Sequence, residues 1–136
     1  MFRQHRGWLI ISRNMETKTI TINGKQVTLG YCYATEIAFQ TLAEENIQTF
    51  LQAAVQAVDK KQMPDIRKSI FLILASISSY YESKGEPFPI EDKDLMYSTD
   101  PETLGLALGT VISLWAKFYK IPTGEPAPKK RTKGKN

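Results

Sequence analysis

Residues 17–29 read Thr-Lys-Thr-Ile-Thr-Ile-Asn-Gly-Lys-Gln-Val-Thr-Leu, with apolar and polar side chains alternating on both sides of Asn23-Gly24. Such a dipeptide between two alternating runs is the strongest short-range signal for a β-hairpin with a two-residue type I′ loop. This loop would pair Ile22 with Lys25, and side chains that alternate with period two then put four apolar residues on one face: Ile20, Ile22, Val27 and Leu29.

The apolar face of this hairpin needs a cover, because two strands alone are marginally stable in water. We expect the face to lie on the helices that follow in the chain. The strand edges leave a second option, in which residues 20–29 pair with the same stretch of another copy of the chain.

Helical periodicity dominates the rest of the sequence. The pattern predicts helices over about residues 34–45, 47–58, 64–84, 91–97 and from 101 onward. The expected fold is therefore α+β and mainly α, an N-terminal β-hairpin followed by a bundle of four to five helices. Residues with cap chemistry mark the helix boundaries: Asn46, Pro64 with Asp65, Gly85, and Asp100 with Pro101.

Apolar spacing also predicts which helix faces are buried. The first helix would bury Ile37, Ala38 and Leu42, with Phe39 beside them, and the second would bury one continuous stripe from Ile47 to Val58. In the last helix Leu114 falls off the predicted core stripe, and we expect Gly105 and Gly109 to permit close packing inside the bundle.

Composition and charge limit the function classes. The chain has 136 residues, 42% apolar and 24% charged, which fits one globular domain, and no apolar run is long enough to span a membrane. The net charge is +4, yet residues 15–120 hold ten basic against thirteen acidic side chains, so the basic excess lies at the two ends.

Three regions follow from these patterns. Residues 1–14 resemble a translated leader, since Met15 immediately precedes the hairpin and offers a natural start, and no signal-peptide pattern is present. Residues 15–120 would form the single domain. Residues 121–136, rich in Pro, Gly and Lys, are typical of a disordered basic tail.

Side chains with catalytic or metal-binding potential are sparse. Cys32 and His5 are the single cysteine and histidine, and the former is expected to be a small buried residue at the junction of strand and helix. The carboxylates at 91–94 lack the spacing of a calcium loop. We therefore expect no enzyme activity, no metal and no cofactor.

Aromatic side chains are more numerous than one small core needs, which favours a protein-binding surface. The candidate partner-binding residues are Tyr31, Tyr33, Tyr80, Tyr81, Trp115, Phe118 and Tyr119. An alternative function is a small nucleic-acid-associated accessory protein, in which the basic tail contacts phosphates without stacking aromatics. Its candidate contacts are Lys129, Lys130, Arg131, Lys133 and Lys135.

The layout resembles the tail assembly chaperones of long-tailed bacteriophages and prophages. The resemblance spans about residues 15–121 and is carried by the hairpin Ile-Thr-Ile-Asn-Gly-Lys-Gln-Val-Thr-Leu, the aromatic-rich start of a helix at 31–39, the further helices and the short charged end. It implies a non-enzymatic, self-associating protein of the host cytoplasm that is absent from the mature virion. Its implied partners are the tape measure protein and tail tube subunits, with no role for a membrane.

Overall fold

The computed structural model describes residues 15–121, and the predicted leader at 1–14 and the tail from 122 onward lie outside the described residues. The described chain is an antiparallel β-hairpin followed by helices, as the sequence predicts. The elements are β1 (Glu16–Ile22), β2 (Lys25–Tyr31), α1 (Tyr33–Ala43), α2 (Ile47–Asp59), α3 (Ile66–Lys84), α4 (Asp92–Tyr97) and α5 (Pro101–Phe118).

The hairpin has the predicted register, with Ile22 opposite Lys25 and Ile20 opposite Val27. Asn23 and Gly24 both have positive φ, at 52° and 81°, as a type I′ loop requires. The predicted apolar face is buried at all four positions. The hairpin packs on α3 and α5 of its own chain, so these side chains belong to the core.

Helix boundaries mostly follow the predicted caps. The side chain of Asn46 accepts hydrogen bonds from two backbone N–H groups of α2, Asp100 accepts one from Thr103, and Gly85 ends α3 with φ of 67°. Pro64 is a correction, because it lies before α3 rather than in its first turn. Asp65 caps that helix instead, through a hydrogen bond from the N–H of Lys68.

The buried face of α1 differs from the prediction. Ile37 and Leu42 are exposed, whereas the core stripe is formed by Thr35, Phe39 and Ala43, spaced four residues apart. The physical reason is a buried hydrogen bond, in which the hydroxyl of Thr35 donates to the carbonyl of Gly30. The same hydroxyl also lies 2.6 Å from that of Ser79 on α3, so the face of α1 that carries Thr35 is bonded inward and positions 37 and 42 lie outside it.

Two further expectations about helix faces are wrong. The stripe on α2 is buried only as far as Ala54, and Val55 and Val58 are exposed. On α5, Leu114 is buried, and a Cβ added at Gly105 or Gly109 would meet nothing within 4 Å. The glycines therefore do not serve close packing within this chain. Cys32 lies at the junction as expected but is half-buried.

Candidate functional site

An apolar groove runs between α2 and α5, and we call it the α2–α5 groove. It encloses about 490 Å³ and carries no charged side chain on its walls. Its lining residues are Gln52, Val55, Gln56, Ile112, Trp115, Ala116 and Ile121. A neutral apolar channel between two helices is the geometry that receives the apolar stripe of an amphipathic helix.

The C-terminal end of α5 builds one wall of this groove. The N–H of Ile121 donates to the carbonyl of Ala116 at 2.8 Å, and the N–H of Lys120 donates to the carbonyl of Lys117 at 3.1 Å. Lys120 has a φ of 56°, so the helix ends in a Schellman motif with a non-glycine residue in the left-handed position. The motif folds Ile121 back over the helix and onto the groove.

Trp115 adds a polar group beside this groove. Its indole Nε1 is buried and has no hydrogen-bond partner among residues 15–121. A buried indole N–H usually finds an acceptor, so this side chain is short of one polar contact.

A second cluster of aromatic side chains joins the start of α1 to the end of α5. The centroid of the Phe118 ring lies 5.6 Å from the ring centroid of Tyr31, 5.3 Å from that of Tyr33 and 5.0 Å from that of Tyr119. We call these four residues the aromatic junction. Tyr33 presents 64% of its surface to solvent, so the junction has an exposed rim.

Glu36 holds the aromatic junction together. Its Oε2 accepts a hydrogen bond from the hydroxyl of Tyr31 at 2.9 Å and another from the hydroxyl of Tyr119. Burial, followed by the bond to the carboxylate, raises the pKa of both tyrosines far above the ordinary value of 10.0. The hydroxyls therefore stay protonated and act as donors, and they fasten the end of β2, through Tyr31, and the end of α5, through Tyr119, to Glu36 of α1.

The candidate partner-binding residues from the sequence thus fall into three places. Four of them form the aromatic junction, and Trp115 lines the α2–α5 groove. Tyr80 and Tyr81 lie elsewhere, in edge contact with each other at 4.9 Å. Tyr31 and Tyr81 are buried and present no ring to solvent. The basic residues from 129 to 135 lie outside the described part of the chain.

Sequence reasoning missed most of the groove. Gln52, Gln56 and Ile112 were not candidate binding residues, and Val55 was assigned to the core. The sequence did contain one signal for these groove residues. The apolar stripe on α2 is longer than the stretch that α1, a shorter helix, can cover. An apolar position left over at the end of such a stripe is a candidate for a partner surface.

Comparisons of the chain with family models, with curated proteins and with solved structures find no match. Within residues 15–121, no helix combines the length and apolar character needed to cross a membrane. In the same residues, no three His, Cys, Asp or Glu side chains come together as a potential metal site.

Proposed function

We propose that the chain is a phage tail assembly chaperone, a non-enzymatic protein that holds an amphipathic helix of the tape measure protein in its α2–α5 groove. The single observation that carries the proposal is this neutral apolar groove, which the chain's own described residues leave open. An exposed groove of this kind is costly for a protein with no partner, because apolar surface in water promotes association.

The charge distribution supports the same reading. Since the body of the chain carries more acidic than basic side chains, it attracts a partner helix whose polar face is basic while the uncharged groove takes the apolar face. In this role the protein works in the cytoplasm of the host bacterium, recruits tail tube subunits and self-associates, and it leaves before the virion matures.

The test is co-expression with the long tape measure protein of the same genome, measured as the soluble fraction of that protein. Val55→Asp places a carboxylate in the groove, and Ala53→Asp places one on the exposed opposite side of the same helix. We expect wild type and Ala53→Asp to keep the tape measure protein soluble and Val55→Asp to fail, with binding weakened at least about tenfold because the charge must lose its water.

If Val55→Asp and Ala53→Asp keep the tape measure protein equally soluble, the α2–α5 groove is not the binding site. Failure of the wild-type chain to raise the solubility of the tape measure protein would remove the chaperone function itself. The nucleic-acid alternative gives a distinct result, a gel shift of DNA that is lost when residues 124–136 are deleted. The gene order offers an independent check, with a major tail protein gene upstream and a very long gene downstream.

A further inference from the structure

The two outer edges of the hairpin differ in how their backbone groups are satisfied. In a two-residue hairpin the pair that flanks the loop exchanges hydrogen bonds, and every second pair points its N–H and C=O groups outward. On β2 two of these outward groups meet side chains. The N–H of Thr28 donates to the hydroxyl of Tyr81 at 3.0 Å, and the carbonyl of Gly30 accepts from Ser76 at 2.8 Å and from Thr35 at 3.2 Å.

The outer edge of β1 is different. The same alternation turns the backbone groups of Thr17, Thr19 and Thr21 outward. Among residues 15–121 none of these groups has a hydrogen-bond partner, and all three residues are exposed. As far as residues 15–121 are concerned, β1 therefore offers an open strand edge, whereas helix side chains occupy part of the edge of β2.

A groove lies directly beside this open edge, between β1 and the outer face of α5, and we call it the β1–α5 groove. It encloses about 420 Å³. Its lining residues are Lys18, Gly105, Leu106, Gly109, Thr110, Ser113, Leu114 and Lys117. Lys18 belongs to the face of β1 that also carries Ile20 and Ile22, so this groove continues the helix-covered side of the sheet beyond its last strand.

We propose that β1 pairs antiparallel with β1 of a second copy of this chain, with Thr19 opposite Thr19 across a two-fold axis. The product is a four-stranded sheet in which the β1–α5 grooves of the two copies face each other across the axis. This pairing is independent of the identity of the tape measure partner.

The sequence of β1 is complementary to itself in this register. All seven residues of each strand are paired, with Thr17 opposite Thr21 and the central threonines opposite each other, so the threonine face continues across the axis. In this register Lys18 lies opposite Ile20 of the second copy. A shift of the partner strand by two residues would put Lys18 opposite Lys18, which is destabilising, so the inward-facing lysine disfavours that register.

Small residues on α5 make room for the second copy. Gly105, Gly109 and Ser113 follow one another at intervals of four on the exposed side of the helix, and a Cβ at either glycine would be free of contacts. Helices on one side of a sheet need about 8–10 Å between their axes, roughly two strand spacings. The glycines shorten the distance that the two helix axes need. The two α5 helices can therefore lie on either side of the two-fold axis.

Disulfide trapping in the full-length chain tests the pairing. In a Cys32→Ser background, Thr19→Cys brings two thiols to opposed positions about 5.5 Å apart between Cα atoms, within disulfide range. Thr17→Cys is the matched control, because it lies on the same strand and face but its two copies would be about 14 Å apart. We expect oxidation to yield a covalent dimer with Thr19→Cys and none with Thr17→Cys alone.

A mixture of Thr17→Cys and Thr21→Cys chains should form the mixed disulfide, since these positions face each other in the proposed register. Dimers of Thr17→Cys alone, or no Thr19→Cys dimer at any concentration tested, would overturn the proposal. Crosslinking of Thr19→Cys only to an added tape measure protein would assign the edge to a foreign strand and also overturn it.

Sedimentation velocity of the full-length chain supplies a second measurement. Thr19→Pro removes the outward N–H at the centre of the edge without touching the hairpin's own bonds, and proline is tolerated at such positions. The variant should dimerise at least tenfold more weakly than wild type, with its circular dichroism unchanged. A dimer of undiminished affinity would place the interface elsewhere. The trapping result decides the matter if Thr19→Pro does not fold.

Discussion

Replacing Tyr31 with phenylalanine isolates the hydrogen bond that fastens the aromatic junction. The ring remains, so its contact with Phe118 at 5.6 Å is kept, and only the hydroxyl that donates to Glu36 at 2.9 Å is lost. A hydrogen bond to a charged acceptor contributes about 1.5–3 kcal/mol to stability. Glu36 retains the hydroxyl of Tyr119 and partial access to water, so we expect the lower end of this range.

The assay is urea unfolding at pH 7, comparing the free energy of unfolding of wild type and Tyr31→Phe. We expect a loss of about 1.5 kcal/mol with an unchanged dependence on urea concentration. A loss below about 0.3 kcal/mol would show that the Glu36 carboxylate does not fasten the end of β2 to α1, because the Tyr31 hydroxyl would then be dispensable.

The pH dependence provides the second half of this prediction. The folded pKa of Tyr31 is raised above its unfolded value of 10.0, so the stabilisation is fully present below about pH 10 and is lost as the pH rises further. The loss should reach at most about 1.4 kcal/mol per pH unit for this one group. Tyr31→Phe should show a shallower decline above pH 10, and an identical alkaline profile would refute the reasoning.

Further predictions concern helix ends and the closed strand edge. Asp100→Ala should lower the melting temperature at pH 7, and the difference should vanish in acid, because hydrogen bonds from Thr103 hold the pKa of Asp100 below its usual 3.8. Lys120→Gly should raise the free energy of unfolding by about 1 kcal/mol, and Gly85→Ala should lower it by about 1 kcal/mol, both in urea titrations, because each residue has φ in the left-handed region. Tyr81→Phe should cost about 1 kcal/mol in the same assay and speed the hydrogen exchange of the Thr28 amide, which loses its acceptor.

The parts of the fold that the sequence predicts well are those with short-range causes. Asn23-Gly24 determines the loop, the loop determines the register, and the alternation then determines which side chains are buried. Asn46 and Asp100 mark helix starts because a side-chain oxygen can satisfy backbone N–H groups two or three residues ahead. These relations need no knowledge of the rest of the chain.

The parts that the sequence does not predict depend on contacts between distant residues. The buried face of α1 includes Thr35, whose hydroxyl bonds to Gly30 and Ser79, and a polar residue at a core position contradicts the apolar pattern by which the face was assigned. Gly105 and Gly109 have two opposite uses, close packing or open space, and their spacing is the same in both. To predict the α2–α5 groove, one must know where α2 ends relative to α5. The periodicity within each helix does not determine this.

The three faces of α5 explain how one small domain can carry two interaction surfaces. The α2–α5 groove and the β1–α5 groove use separate residues on this helix, and each shares one residue with the core face, Ala116 in the former and Leu114 in the latter. Pairing through β1 therefore leaves the α2–α5 groove of each copy open, so that a pair offers two helix-binding grooves. The bonds of the outward Thr28 N–H and Gly30 carbonyl to α1 and α3 side chains also oppose further extension of the sheet at β2. If the proposed function and the proposed pairing both hold, a longer assembly along a tape measure protein would be ordered by the helix it binds, with the sheet-paired dimer as its unit.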